Sequence, residues 1–130
     1  MKPLHVLYVD DDRVNALLFS ELGRLAPRVR IETADNGAEA LALLAEFPAD
    51  LLVLDLHLPD GDGLSLLPRL HAACARPVPA YLCTADDLAS VQGRAQAAGF
   101  AGCWNKPLDV PQVLATFARL QGGTGAAPSR

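Results

Sequence analysis

Residues 10–12 are three consecutive aspartates, set directly behind the apolar run LHVLYV. Like charges at a strand end repel one another, and partial burial sharpens the repulsion. A positive charge is needed nearby. A further acid, Asp55, sits inside the apolar run LLVLDL at 51–56; Thr84 ends VPAYLCT at 78–84, and Lys106 follows AGCWN at 101–105. Brought to one place, Asp10, Asp11 and Asp55 make a hard, all-oxygen site of the kind magnesium prefers. The cation's charge would offset the clustered acids. Lys106 adds a second positive charge on a flexible stem, and Thr84 a hydroxyl donor. A carboxylate nucleophile, a divalent metal, a lysine and a hydroxyl are together the apparatus of phosphoryl transfer to aspartate. Asp55 would attack in line while metal and lysine neutralise the equatorial oxygens, giving an acyl phosphate. The nucleophile is already an anion, so no separate base is required. Capping of a helix accounts for one aspartate. It does not account for three, or for Asp55.

Such a site needs four distant segments to meet, and the hydrophobic pattern says how. Strand-length apolar runs at 4–9, 29–34, 51–56, 78–84 and 101–105 alternate with helix-length amphipathic segments. The helices are predicted from Arg13 to Leu25, over 38–47 up to Pro48, from Leu64 to Ala73, from a cap at Asp86 or Asp87 to Ala98, and from Val110 to Leu120. HLPDGDG at 57–63 reads as a loop. Val110, Val113, Leu114, Phe117 and Leu120 form one core-facing stripe on the last helix. Five strands alternating with five helices predict an α/β, doubly wound parallel sheet with helices on both faces. In such sheets the site lies beyond the carboxyl ends of the strands. All four groups of chemically unusual residues fall there.

Composition narrows the function classes. At 130 residues with half of them apolar, the chain can bury one core as a single domain over 1–121, with GGTGAAPSR at 122–130 a flexible tail. A net charge of -4 and the absence of any Lys/Arg run argue against direct nucleic-acid binding. The N-terminal apolar run is too short for a signal peptide or a membrane span. Cys74, Cys83 and Cys103 are widely spaced with no CxxC, and read as reduced, buried small hydrophobes of a cytoplasmic protein. His5 and His71 read as surface residues.

The chain resembles the receiver domains of bacterial two-component response regulators, the CheY-like family. VDDD is similar to that family's acidic pair, LVLDLHLPDGDG to its phosphoacceptor segment, LCTAD to its switch threonine region and WNKPLD to its lysine-proline signature. The resemblance runs from Leu4 to Leu120. It implies a flavodoxin-like sheet of order 2-1-3-4-5 and phosphorylation of Asp55 by a histidine kinase or histidine phosphotransfer domain. Asp11, Asp10, Asp55 and the backbone carbonyl of His57 would hold Mg2+, while Thr84 and Lys106 would engage the phosphoryl group. Asp12 holds a variable position, and the His57 side chain would tune access of water. Pro59 and Gly63 fit the loop after the acceptor, and the Lys106–Pro107 bond is often cis in the family.

The resemblance also implies a downstream effector protein, and a possible homodimer, meeting the surface of the fourth helix, fifth strand and fifth helix. Phosphorylation and dephosphorylation would occur on the domain itself, without turnover of an external substrate. Cys103 departs from the pattern, because the family usually places an aromatic there. Trp104 beside it faces the other way, so the aromatic part of the switch is open. The Ala-rich fourth helix, weakened by Gly93, is the element expected to shift. A haloacid-dehalogenase-type phosphatase would need a second aspartate where His57 stands. A flavodoxin-like cofactor carrier would have its phosphate repelled by DDD. A degenerate receiver, acting only as an interaction module, would have lost the acids, the nucleophile or the lysine.

Overall fold

The computed structural model describes residues 2–122. Apart from Gly122, the tail expected at 122–130 lies outside the described residues. Chain order is β1 (Leu4–Val9), α1 (Arg13–Leu25), β2 (Val29–Ala34), α2 (Gly37–Leu44), β3 (Leu51–Asp55), β4 (His57–Leu58), β5 (Gly61–Asp62), α3 (Gly63–Ala73), β6 (Ala80–Thr84), α4 (Leu88–Ala98), β7 (Gly102–Asn105) and α5 (Val110–Leu120). Five parallel strands form one sheet in the order β2-β1-β3-β6-β7. Counted without the small β4–β5 pair, that is the expected order 2-1-3-4-5, in a CheY-like, flavodoxin-like fold.

Alternation along the strands divides the core in two. Leu7, Val9, Leu52, Leu54 and Leu82 face α2, α3 and α4, where they meet Ala40, Leu67, Leu70, Val91 and Ala95. Leu4, Val6, Tyr8, Leu51, Val53 and Cys83 face α1 and α5, packing on Phe19, Leu22, Val113 and Phe117. Leu51 to Leu54 are wholly buried, as a strand covered on both sides requires. Each such leucine contributes about 1.5–3 kcal/mol through burial.

Several boundaries differ from the sequence reading. HLPDGDG is not a simple loop: His57–Leu58 pairs antiparallel with Gly61–Asp62 in a hairpin too short to leave a periodic signal. The ladder of β6 begins at Ala80, because Pro79 has no N–H to donate and serves through its carbonyl to Leu52 (3.0 Å). Helix α2 stops at Leu44, ahead of Phe47, whose position before Pro48 disfavours helical backbone. Val110 opens α5 exposed, while Val113 and Phe117 carry the buried stripe. Among the cysteines only Cys83 is buried; Cys74 and Cys103 are half-buried. His5 and His71 are half-buried too: His5 stacks on Phe47 and His71 Nε2 lies 3.0 Å from the Val78 carbonyl.

Candidate functional site

Strand β1 delivers Asp10 and Asp11 one and two residues past its end, and β3 ends on Asp55 itself. Parallel pairing of β1 with β3 brings the two carboxyl ends together. Carboxylate oxygens of Asp10, Asp11 and Asp55 all lie within 4.8 Å of one another. Asp10 and Asp55 are buried and Asp11 is exposed, so the cluster opens to solvent on one side. This is a hard-oxygen donor set that fits a small divalent cation with several retained waters. Asp12 takes a different part: its side chain caps α1, accepting from the Val14 and Asn15 amides. One aspartate of the three does the capping.

The fixed positive charge sits where the acids converge. Lys106, carried just past β7, places Nζ 2.8 Å from Asp10 Oδ2 and 3.1 Å from Asp55 Oδ1. The Lys106–Pro107 bond that follows is cis. Burial alone would lower the Lys106 pKa, but its bonds to Asp10 and Asp55 together outweigh it and hold the ammonium above its ordinary value. Burial raises the Asp55 carboxyl above the usual range; the Lys106 hydrogen bond opposes this, and the Asp10 charge adds to it. Asp10 is further held by the Tyr8 hydroxyl on Oδ2 (2.8 Å) and the Asp12 amide on Oδ1 (2.9 Å).

Thr84 ends β6 beside this cluster and is fully buried; its Oγ1 accepts from the Asp86 amide at 2.9 Å. The Asn105 side-chain amide ties the same turn, donating to the Thr84 and Asp86 carbonyls. The His57 side chain is exposed, with Nε2 3.1 Å from Asp86 Oδ2. The structure thus brings Asp10, Asp11, Asp55 and Lys106 into one contact set, with Thr84 at the same edge. The His57 ring pairs with Asp86 instead.

Gly63 explains how tightly the acceptor loop returns. A Cβ there would meet the Asp55 carbonyl oxygen at 2.5 Å, so only glycine lets α3 start against the acceptor's own backbone. Asp60, at the tip of the hairpin, accepts from the Gly37 and Ala38 amides and so caps α2 across the loop. Those two bonds hold its carboxyl below the usual range. Cys103 packs against the α4 side of the core, and Trp104 against the α5 side, stacked on Tyr81 at 4.5 Å. Neither Asp60 nor Tyr8 was singled out from sequence. Asp60 acts through partners more than twenty residues away, which leave no spacing signal. Tyr8 lies two residues from Asp10 on the same strand face, a period-two spacing that could have pointed to it.

A second feature borders the site. Val14, Leu17, Leu18 and Leu25 of α1 are 60–66% exposed, and Val110 is 38% exposed. A groove of about 300 Å3 beside them is lined by Leu18, Leu22, Leu25, Lys106, Pro107 and Leu108. It runs from the outer face of α1 to the lysine of the acidic cluster. Single exposed leucines are ordinary; here four apolar side chains share the outer side of one helix, interrupted by the exposed Glu21.

Comparison with known proteins gives concordant results. The family described as response regulator receiver domain matches residues 6–118. The chain is 34% identical over 117 residues to the sensor histidine kinase RcsC of Salmonella typhimurium, covering 87% of this chain but 12% of the kinase. It is 31% identical over 121 residues to the polar-differentiation response regulator DivK of Brucella anthropi, covering 92% of this chain and 98% of that protein. A two-component response regulator from Clostridium difficile shares the fold with a TM-score of 0.83 at 21% identity, covering 95% of this chain and 99% of that one.

Proposed function

The chain belongs to the response regulator receiver domain family of two-component signalling, and from that membership we propose that it accepts a phosphoryl group on Asp55. The receiver would occupy residues 1–121. The observation that carries the reading is the double contact of Lys106 Nζ with Asp10 and Asp55 inside the cluster of acids. An Asp55 oxygen attacks phosphorus; the bond from phosphorus to the donor's imidazole nitrogen breaks, and its electron pair stays with the imidazole. The product is an aspartyl phosphate. Lys106 moves from the carboxylates to a phosphoryl oxygen, and the Thr84 hydroxyl donates to another. Asp10, Asp11, Asp55 and the His57 carbonyl would hold Mg2+, which when bound supplies charge neutralisation for the phosphoryl oxygens.

The donor is a histidine kinase or histidine phosphotransfer domain, and the apolar stripe of α1 is the face it covers. That stripe is continuous through Pro107 with Lys106, so a helix lying on it would bring a phosphohistidine to the acceptor. Output passes to an effector protein, or to a second copy, through α4, β7 and α5. The domain signals and modifies itself and turns over no external substrate. Its place is the cytoplasm, consistent with free cysteines and with no described helix being long and apolar enough to cross a membrane.

Incubation with acetyl phosphate and Mg2+, followed by intact mass measurement, tests the reading. A phosphoryl adduct is expected on the wild-type chain, none on Asp55→Asn and none after chelation. No adduct on the wild-type chain would leave only a phosphorylation-independent interaction module, and one that survives Asp55→Asn would overturn Asp55 as the acceptor.

A further inference from the structure

Tyr8 carries a group that the transfer just described does not use. It precedes Asp10 by two residues in β1, on the same side of the sheet, and is 1% exposed. Its ring stacks on Phe19 at 4.2 Å, and Phe19 is held edge-on by Phe117. That packing fixes the ring, and a phenylalanine would fill the same space. Only the hydroxyl calls for a reason. A buried tyrosine needs some hydrogen-bond partner, and a backbone carbonyl would serve. Here the partner is instead the carboxylate of Asp10, on the oxygen that also accepts from Lys106.

The two donors on that oxygen differ in permanence. Lys106 is shared with Asp55 and, on the reading above, leaves for the phosphoryl group. The Tyr8 hydroxyl is locked in the core by the stacking of its ring and has no second carboxylate to move to. A carboxylate that ligates a metal is oriented by the groups bonded behind it. We propose that Tyr8 is a positioning residue, whose hydroxyl holds the Asp10 carboxylate in the orientation that receives magnesium. The proposal rests on the phosphoacceptor reading and goes beyond it in assigning this tyrosine.

The test compares the wild-type chain with Tyr8→Phe, using magnesium alone in a calorimetric titration and acetyl phosphate at varied magnesium. The variant is expected to bind magnesium about tenfold more weakly, the lower end for loss of a group behind a metal ligand. Its half-saturating magnesium for phosphorylation rises equally, while the rate at saturating magnesium stays at the wild-type level, because the cation then fixes Asp10 itself. An unchanged magnesium constant overturns the proposal. A second measurement needs no substitution. With the phenol carbons isotopically labelled, the wild-type chain gives NMR signals for its two tyrosines, Tyr8 and Tyr81. Magnesium should shift Tyr8 and leave Tyr81, whose hydroxyl accepts from Arg119, unmoved. An unmoved Tyr8 signal overturns the proposal even where Tyr8→Phe folds poorly. Absence of magnesium binding by the wild-type chain would instead sink the phosphoacceptor reading, and this inference with it.

Discussion

At Asp10 one carboxylate oxygen accepts from Lys106 and Tyr8 while the other accepts from the Asp12 amide, in a place almost closed to water. Lys106 therefore does in the cation-free protein part of what a bound cation would do. Lys106→Met should cost about 1–3 kcal/mol in magnesium-free buffer, the penalty for withdrawing a donor from buried polar groups. Magnesium at a hundredfold its Kd should add about 2.7 kcal/mol to the wild-type chain. It should add more to Lys106→Met, where no ammonium competes for the same oxygens. Urea unfolding with and without magnesium measures both, and a gap between the two proteins that fails to narrow contradicts the assignment of charge.

At the scale of elements, two glycines predict opposite outcomes. Gly93 lies in α4, and a Cβ placed there would meet nothing within 4 Å, so Gly93→Ala should stabilise the protein by about 1 kcal/mol. Thermal unfolding would register roughly 3–6 °C. If shifting of α4 transmits the signal, the stiffened helix should also weaken the response of its amides to phosphorylation, which hydrogen exchange reads. Gly63→Ala forces a methyl group onto the Asp55 carbonyl and should destabilise the protein and slow phosphorylation together. Asp60 ties the acceptor hairpin to α2, and its folded-state pKa lies below the unfolded value. That tie is present above about pH 4, the unfolded carboxyl value, and is lost as pH falls through the lowered folded one. Asp60→Asn should flatten this part of the acid-unfolding profile; an unchanged profile would show the cap to be without effect.

For the whole molecule, the question is which surfaces meet which partners. The α1 stripe borders the acceptor site and meets the start of α5 at Val110, while α4 packs on the opposite face of the sheet. On the proposed assignment, a donor on α1 and an effector on α4 would use opposite faces. Leu17 is 64% exposed, so Leu17→Glu should change stability by no more than about 0.5 kcal/mol. Phosphorylation by acetyl phosphate should remain at the wild-type rate, since a small donor needs no docking face. Transfer from a phosphohistidine protein should fall by about tenfold or more, the factor that 1.4 kcal/mol of lost contact represents. Equal loss with both donors would mean that the substitution disturbs the site itself.

The order of apolar runs and breakers was enough to set the parallel sheet, because a strand buried on both faces and a helix buried on one leave different periods. The acids, Thr84 and Lys106 were legible for a related reason: polar residues at the ends of apolar runs stand out. Strand order then places those ends along one edge. What only the tertiary structure decided are contacts across the sheet and between loops. Lys106 chooses both Asp10 and Asp55, and Asp60 caps a helix more than twenty residues away. The exposure of the α1 stripe was likewise undecided by its period, which shows that a helix has an apolar face but not whether the fold supplies anything to cover it. Such contacts depend on how the distant segments pack, and packing distances are not written in residue spacing.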